Sequence, residues 1–129
     1  MMKAVVFALA ALVALPAHAK DFRSTNGMHV RPVNANSWTV SGIPDRTPQS
    51  HWCASAEYAQ RVLGASFNQR MYVVGDAKRG QREYLISLSP KGTISEGGRS
   101  KQFGIRLDGA NRRVDEGLDF CRNTLRVPG

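Results

Sequence analysis

Acidic residues, cysteines, histidines and long apolar runs are all scarce in this chain, and each scarcity removes a class of protein. Ten Asp and Glu stand against 18 Lys and Arg in 129 residues, a formal charge of +8. Two cysteines, Cys53 and Cys121, are too few for a disulfide-dense scaffold or a Cys-rich zinc module. They form no Cys-x-x-Cys, the spacing of dithiol redox catalysts. The three histidines, His18, His29 and His51, and the few acids show no His-x-His, His-Glu-x-x-His or Asp-x-Asp-x-Asp-Gly spacing. No metal or other cofactor is therefore expected. There is no Gly-x-Ser-x-Gly elbow, no phosphate-loop pattern and no Asn-x-Ser/Thr site. Internal repeats are absent too. Hydrophobic residues make up 42% and charged residues 22%, which excludes a disordered chain.

The longest apolar run, Ala4 to Leu15, is too short for a bilayer span, which needs about 20 residues. Lys3 precedes it and Ala17-His18-Ala19 follows. A positive start, an apolar centre and a small-x-small ending are the three parts of a secretory signal. Residues 1–19 are thus expected to be a leader cleaved after Ala19. Residues 20–129 would then form one mature domain, periplasmic or secreted, with no transmembrane segment. In an oxidising compartment the two cysteines are expected to pair as a structural disulfide.

The mature part predicts an α+β fold: an antiparallel sheet of about four or five strands packed by one or two helices. Lys20 to Gly27 are polar and read as a loose arm. Strands are expected over Met28–Val33, where Pro32 suits an edge, and over Ser37–Ser41. Others are expected over Arg70–Val74, over 83–88 and over 102–107, from alternating apolar residues. A helix is predicted over 48–63, with Thr47 as cap, Pro48 in the first turn and Gly64 at the end. Val114, Leu118, Cys121 and Leu125 recur at helical steps and predict a second helix over 112–125. A strand through Leu118–Cys121 is the rival. Within that helix Gly117 costs about 1 kcal/mol relative to Ala.

Charge is unevenly placed. Residues 61–113 hold 11 basic and 4 acidic side chains, the whole surplus of the mature chain. Lys78, Arg79, Arg82, Arg99, Lys101, Arg112 and Arg113 are the candidate contact residues for an anionic partner. In an exported protein that partner would be an envelope lipid or an acidic polysaccharide, and a solubility surface is the alternative. The compartment argues against nucleic acid. Tyr72 and Tyr84 suit core strands better than stacking platforms.

His51-Trp52-Cys53 and the helix it opens, ending in Leu63-Gly64, resemble the nucleophile helix of NlpC/P60-type cysteine peptidases. The likeness covers about fourteen residues and implies a hydrolase using Cys53 as nucleophile with His51 or His29 as base. Those enzymes take their histidine from downstream of the cysteine, whereas every histidine here precedes it. The same segment, with the leader and the late Cys121, is similar to short exported bacterial proteins of unknown function. That resemblance implies a Trp-Cys helix, following strands and a disulfide, and no activity. The expected function is a non-enzymatic binding or structural role, with no catalytic residue assigned; the cysteine hydrolase is the alternative.

Overall fold

The structure, a computed structural model, describes residues 21–42, 47–91 and 105–125. The expected leader, Arg99, Lys101 and Phe103 lie outside these residues. The elements run β1 (Phe22–Arg23), β2 (His29–Asn34), β3 (Ser37–Ser41), α1 (Pro48–Arg61), β4 (Arg70–Val73), β5 (Glu83–Ser87), β6 (Asn111–Arg113) and α2 (Val114–Leu125). All six strands join one antiparallel sheet in the order β1-β2-β3-β5-β4-β6. No helix among the described residues is long and apolar enough to cross a membrane.

Alternation explains the sheet's inner face. Val30 pairs with Val40 and Val40 with Tyr84, while Trp38 pairs with Ile86 and Ile86 with Val73. These side chains are buried, several of them completely, each worth about 1.5–3 kcal/mol for its removal from water. Both helices lie over this face. The Tyr58 ring of α1 packs between Phe22 and Trp38, and the Trp38 indole N–H donates to Ser55 Oγ at 3.0 Å.

Helix α1 begins where expected. Thr47 Oγ1 accepts from Ser50 N, and Pro48 occupies the first turn, where no N–H is needed. At the other end Gly64 adopts φ 69°, letting the Ala65 N–H reach the Ala59 carbonyl at 2.9 Å. Burial runs almost unbroken from Ser50 to Ala59, wider than one stripe. Its alanines and serines permit this, because three different partners approach the helix: the sheet, α2 and the β1–β2 turn.

Helix α2 crosses α1 closely. A Cβ on Gly117 would stand 2.6 Å from Ala56 Cβ and 2.7 Å from the Trp52 carbonyl oxygen. One turn further along α2, Cys121 is bonded to Cys53, with 4.9 Å between their Cα atoms. The expected disulfide therefore ties the two helices at their crossing.

Three expectations are corrected. The polar arm is anchored: Phe22 and Arg23 pair with Val30 and His29, and Phe22 caps the core. Ile105 to Leu107 are bends, so no strand runs through them. Leu107 is exposed, and the Ala110 N–H turns back to the Leu107 carbonyl; the chain then bonds Val73 of β4 through Gly109 and Ala110 and pairs with β4 as a strand from Asn111. That short stretch becomes β6, and the second helix accordingly starts at Val114 rather than 112. The sheet has six strands because these two short pairings extend it at both edges.

Candidate functional site

The sulfur chemistry is closed. No free cysteine exists, so the thiol that the hydrolase alternative requires is occupied in the bridge. His29 is on the opposite face of the sheet, bonded through Nε2 to Arg23 at 3.0 Å. Cys53, Glu57 and Cys121 bring ligand-type atoms within 4.8 Å of one another. The two sulfurs are bonded to each other, however, and Glu57 Oε1 accepts from both Thr25 N and Thr25 Oγ1, at 3.0 and 2.7 Å. That cluster locks α1 to the β1–β2 turn.

The basic residues lead elsewhere. Lys78-Arg79-Gly80-Gln81 forms a tight turn: the Gln81 N–H donates to the Lys78 carbonyl at 3.0 Å, and Gly80 supplies the positive φ of 78° that its third position demands. The Gln81 side chain fastens it from both ends. Its Oε1 accepts from Lys78 N at 2.8 Å and its Nε2 donates to the Glu83 carbonyl at 2.7 Å. Tyr84 Oη then donates to the Gln81 carbonyl, joining the turn to the core.

A second segment, Ile105–Ala110, is clamped beside it. The Ala77 N–H donates to the Arg106 carbonyl at 2.7 Å. Asp76 accepts from Asp108 N at 2.8 Å while Asp108 accepts from Gly75 N at 2.7 Å. These reciprocal bonds hold two connections side by side with their carboxylates turned onto backbone amides.

Between them opens a cleft of about 280 Å³, lined by Gly42, His51, Gly80, Gln81, Arg82, Tyr84 and Arg106. The buried His51 is its floor. His51 Nδ1 bonds the Thr47 carbonyl at 2.8 Å, so this nitrogen carries the proton, and the ring meets Tyr84 edge-on at 5.0 Å. Arg82 and Arg106, both exposed, form no ion pair among the described residues. No carboxylate lines the cleft among the described residues. Two arginines lining one cleft, with no acid among its described lining residues, attract anions.

Of the sequence candidates, Lys78, Arg79 and Arg82 come together on this turn. Arg113 is exposed but paired with Asp115 at 3.0 Å and Glu116 at 3.7 Å. The Asp115 hydrogen bond, with the attraction of both carboxylates, holds its pKa above the ordinary value. Arg112 is only 5% exposed, opposite Met71 on the inner face, and its Nη1 donates to the Asn111 carbonyl. It does not belong to an exposed basic face. Sequence reasoning missed Arg106, His51 and Gln81 as cleft residues. For Gln81 a signal existed, since a Gly-Gln inside Lys-Arg-Gly-Gln-Arg marks a turn that would present those charges.

Protein-family models, curated proteins and solved structures were all compared with this chain, and none matches it.

Proposed function

We propose that the protein is an exported, non-enzymatic binding domain that docks on anionic lipid of the cell envelope through the Lys78–Arg82 turn and the adjoining cleft. One observation carries the reading. Arg82 and Arg106 share a cleft with no carboxylate partner among the described residues, whereas Arg31, Arg61 and Arg113 each hold one. Charge left unpaired in this way costs a little in self-repulsion and is available to a partner. The three-part leader supports export, and the disulfide is compatible with it.

Sedimentation with vesicles tests the proposal. Phosphatidylglycerol vesicles should carry the protein down at low salt and phosphatidylcholine vesicles should not. Binding should fall steeply between 0.05 and 0.5 M salt, because exposed charges are screened within about 10 Å at 0.1 M. Charge reversal at Lys78, Arg79 and Arg82 together should abolish it. Adsorption that ignores the reversal, or retention on acidic polysaccharide in its place, would overturn the lipid reading.

A further inference from the structure

We propose that the cleft is a discrete pocket for one phosphomonoester group, an inference that rests on the anion-docking reading above and deepens it. The argument begins with valence. A carboxylate has two oxygens and is satisfied by a single guanidinium fork. Here two arginine residues, Arg82 and Arg106, line one cavity from separate chain segments. A phosphomonoester offers three terminal oxygens and a charge of about −1.5 to −2 near neutrality, which two forks can share and neutralise. A phosphodiester, with two free oxygens and one charge, leaves one arginine incompletely matched.

Preorganisation is the second strand of the argument. Non-specific adsorption needs only outward charge, as Lys78 and Arg79 supply. The cleft is built more carefully than that. The Gln81 side chain fixes the turn bearing Arg82, and the Asp76–Asp108 clamp with the Ala77–Arg106 bond fixes the segment bearing Arg106. Walls already held by hydrogen bonds do not have to be ordered when a ligand arrives, which lowers the cost of binding. Among the described residues, Asp76 and Asp108 accept from backbone amides, and the exposed Glu83 precedes the buried Tyr84 on the alternating strand. The buried His51–Tyr84 ring pair also lines the cleft, which leaves its solvent side for an ester's carbon chain. The phosphate could belong to a lipid headgroup or to a soluble phosphomonoester.

Amide-proton titration of the oxidised, exported protein decides the matter at 0.15 M salt. Glycerol 3-phosphate should saturate at one equivalent, shifting Gly80, Gln81, Arg82, Tyr84 and Arg106. Acetate and glycerophosphocholine at the same concentration should not saturate. Arg106→Gln should weaken glycerol 3-phosphate at least about tenfold, the effect of losing one charge-assisted hydrogen-bond pair. Arg31→Gln, on β2 and not among the cleft's lining residues, should leave it unchanged, and unaltered amide spectra away from the cleft would show that both variants fold. Tighter sedimentation with phosphatidic acid than with phosphatidylglycerol vesicles of equal surface charge identifies a lipid source; saturation by the soluble ester alone identifies a soluble one. Equal response to acetate, or no loss in Arg106→Gln, overturns the pocket. The two proposals also fail separately. Vesicle binding without saturable ester binding leaves only the surface reading standing, and saturable ester binding without vesicle binding leaves only the pocket.

Discussion

The α1–α2 crossing and the cleft beside the Lys78–Arg82 turn treat charge in opposite ways. At the crossing the one carboxylate, Glu57, is 3% exposed and fully engaged: Thr25 donates to it twice and Arg61 stands 3.5 Å away. Around it the helices meet through Gly117, Ala56 and the disulfide, with no room for another atom. At the cleft Arg82 and Arg106 hold no carboxylate among the described residues, while Asp76 and Asp108 accept from backbone amides. The first region ties the two helices together. The second is held in shape by hydrogen bonds from the Gln81, Asp76 and Asp108 side chains to backbone groups, and the Arg82 and Arg106 guanidiniums take no part in those bonds. Substitutions should therefore separate the two regions cleanly, stability at one and binding at the other.

The hardest blow to the crossing is removal of its bridge. Cys53 and Cys121 are 68 residues apart, and closing a loop of that length restricts the unfolded chain by about 4 kcal/mol. A Cys53→Ser, Cys121→Ser double variant should lose stability on that order, read as a fall in the urea midpoint at unchanged slope. For a domain of this size that is a large fraction of the whole. A loss below about 1 kcal/mol would mean that packing, rather than the bridge, holds the helices together, and the comparison would have to be redrawn around Gly117.

Gly117→Ala comes next, and its sign is informative. On an exposed helix this change gains up to about 1 kcal/mol in propensity. Here the new Cβ meets Ala56 Cβ and the Trp52 carbonyl below 3 Å, and the carbonyl belongs to helix backbone that cannot swing aside. Separation of the helices should cost about 1–3 kcal/mol in thermal or urea unfolding. A stabilised variant would show that the crossing is looser than described.

Gly117 also marks how far the sequence could be read. Its propensity cost was visible; the reason for tolerating it was not, because close approach depends on Ala56 and Trp52, some sixty residues away. Local signals served well wherever they sufficed. Thr47, Pro48 and Gly64 delimit α1, and alternation places β3 and β5. They failed for β1 and β6, which are two and three residues long and exist only because a neighbouring edge pairs with them. The same limit governs the candidate site. Charge counting found the Lys78–Arg82 turn but could not tell outward arginines from Arg112, whose inward face is set by its register with Met71. Arg106 escaped because it enters the cleft through the Asp76–Asp108 clamp, a contact between connections more than thirty residues apart.

Alkali offers a smaller test of the buried side. Tyr58 is 2% exposed between Phe22 and Trp38, and burial pushes its phenol above the ordinary value. The unfolded chain releases this proton first, near pH 10, while the folded chain still holds it. Folded protein then binds more protons than unfolded, so stability falls as pH rises through that window, by at most about 1.4 kcal/mol per unit. Below the unfolded value the contribution is constant. Tyr58→Phe should flatten the fall between pH 10 and 11 relative to the parent chain in urea titrations. An identical slope in both would place the phenol in contact with water.

The least effect on stability belongs to the cleft, and it sharpens the comparison most. Arg82→Gln and Arg106→Gln remove exposed guanidiniums that hold no carboxylate among the described residues, so no ion pair among those residues is lost. Each variant should unfold within about 0.5 kcal/mol of the parent. The sign at low salt should even be slightly favourable, because each change takes one of two like charges from a shared concavity in a chain of net charge +8. Raising salt to 1 M shortens the screening length to about 3 Å and should erase that gain. Arg61→Gln is the informative control: its partner Glu57 is buried, so its loss should destabilise at any salt concentration. If Arg82→Gln or Arg106→Gln destabilised as much as Arg61→Gln, the cleft arginines would be structural. The division between a region that stabilises and a region that binds would then collapse.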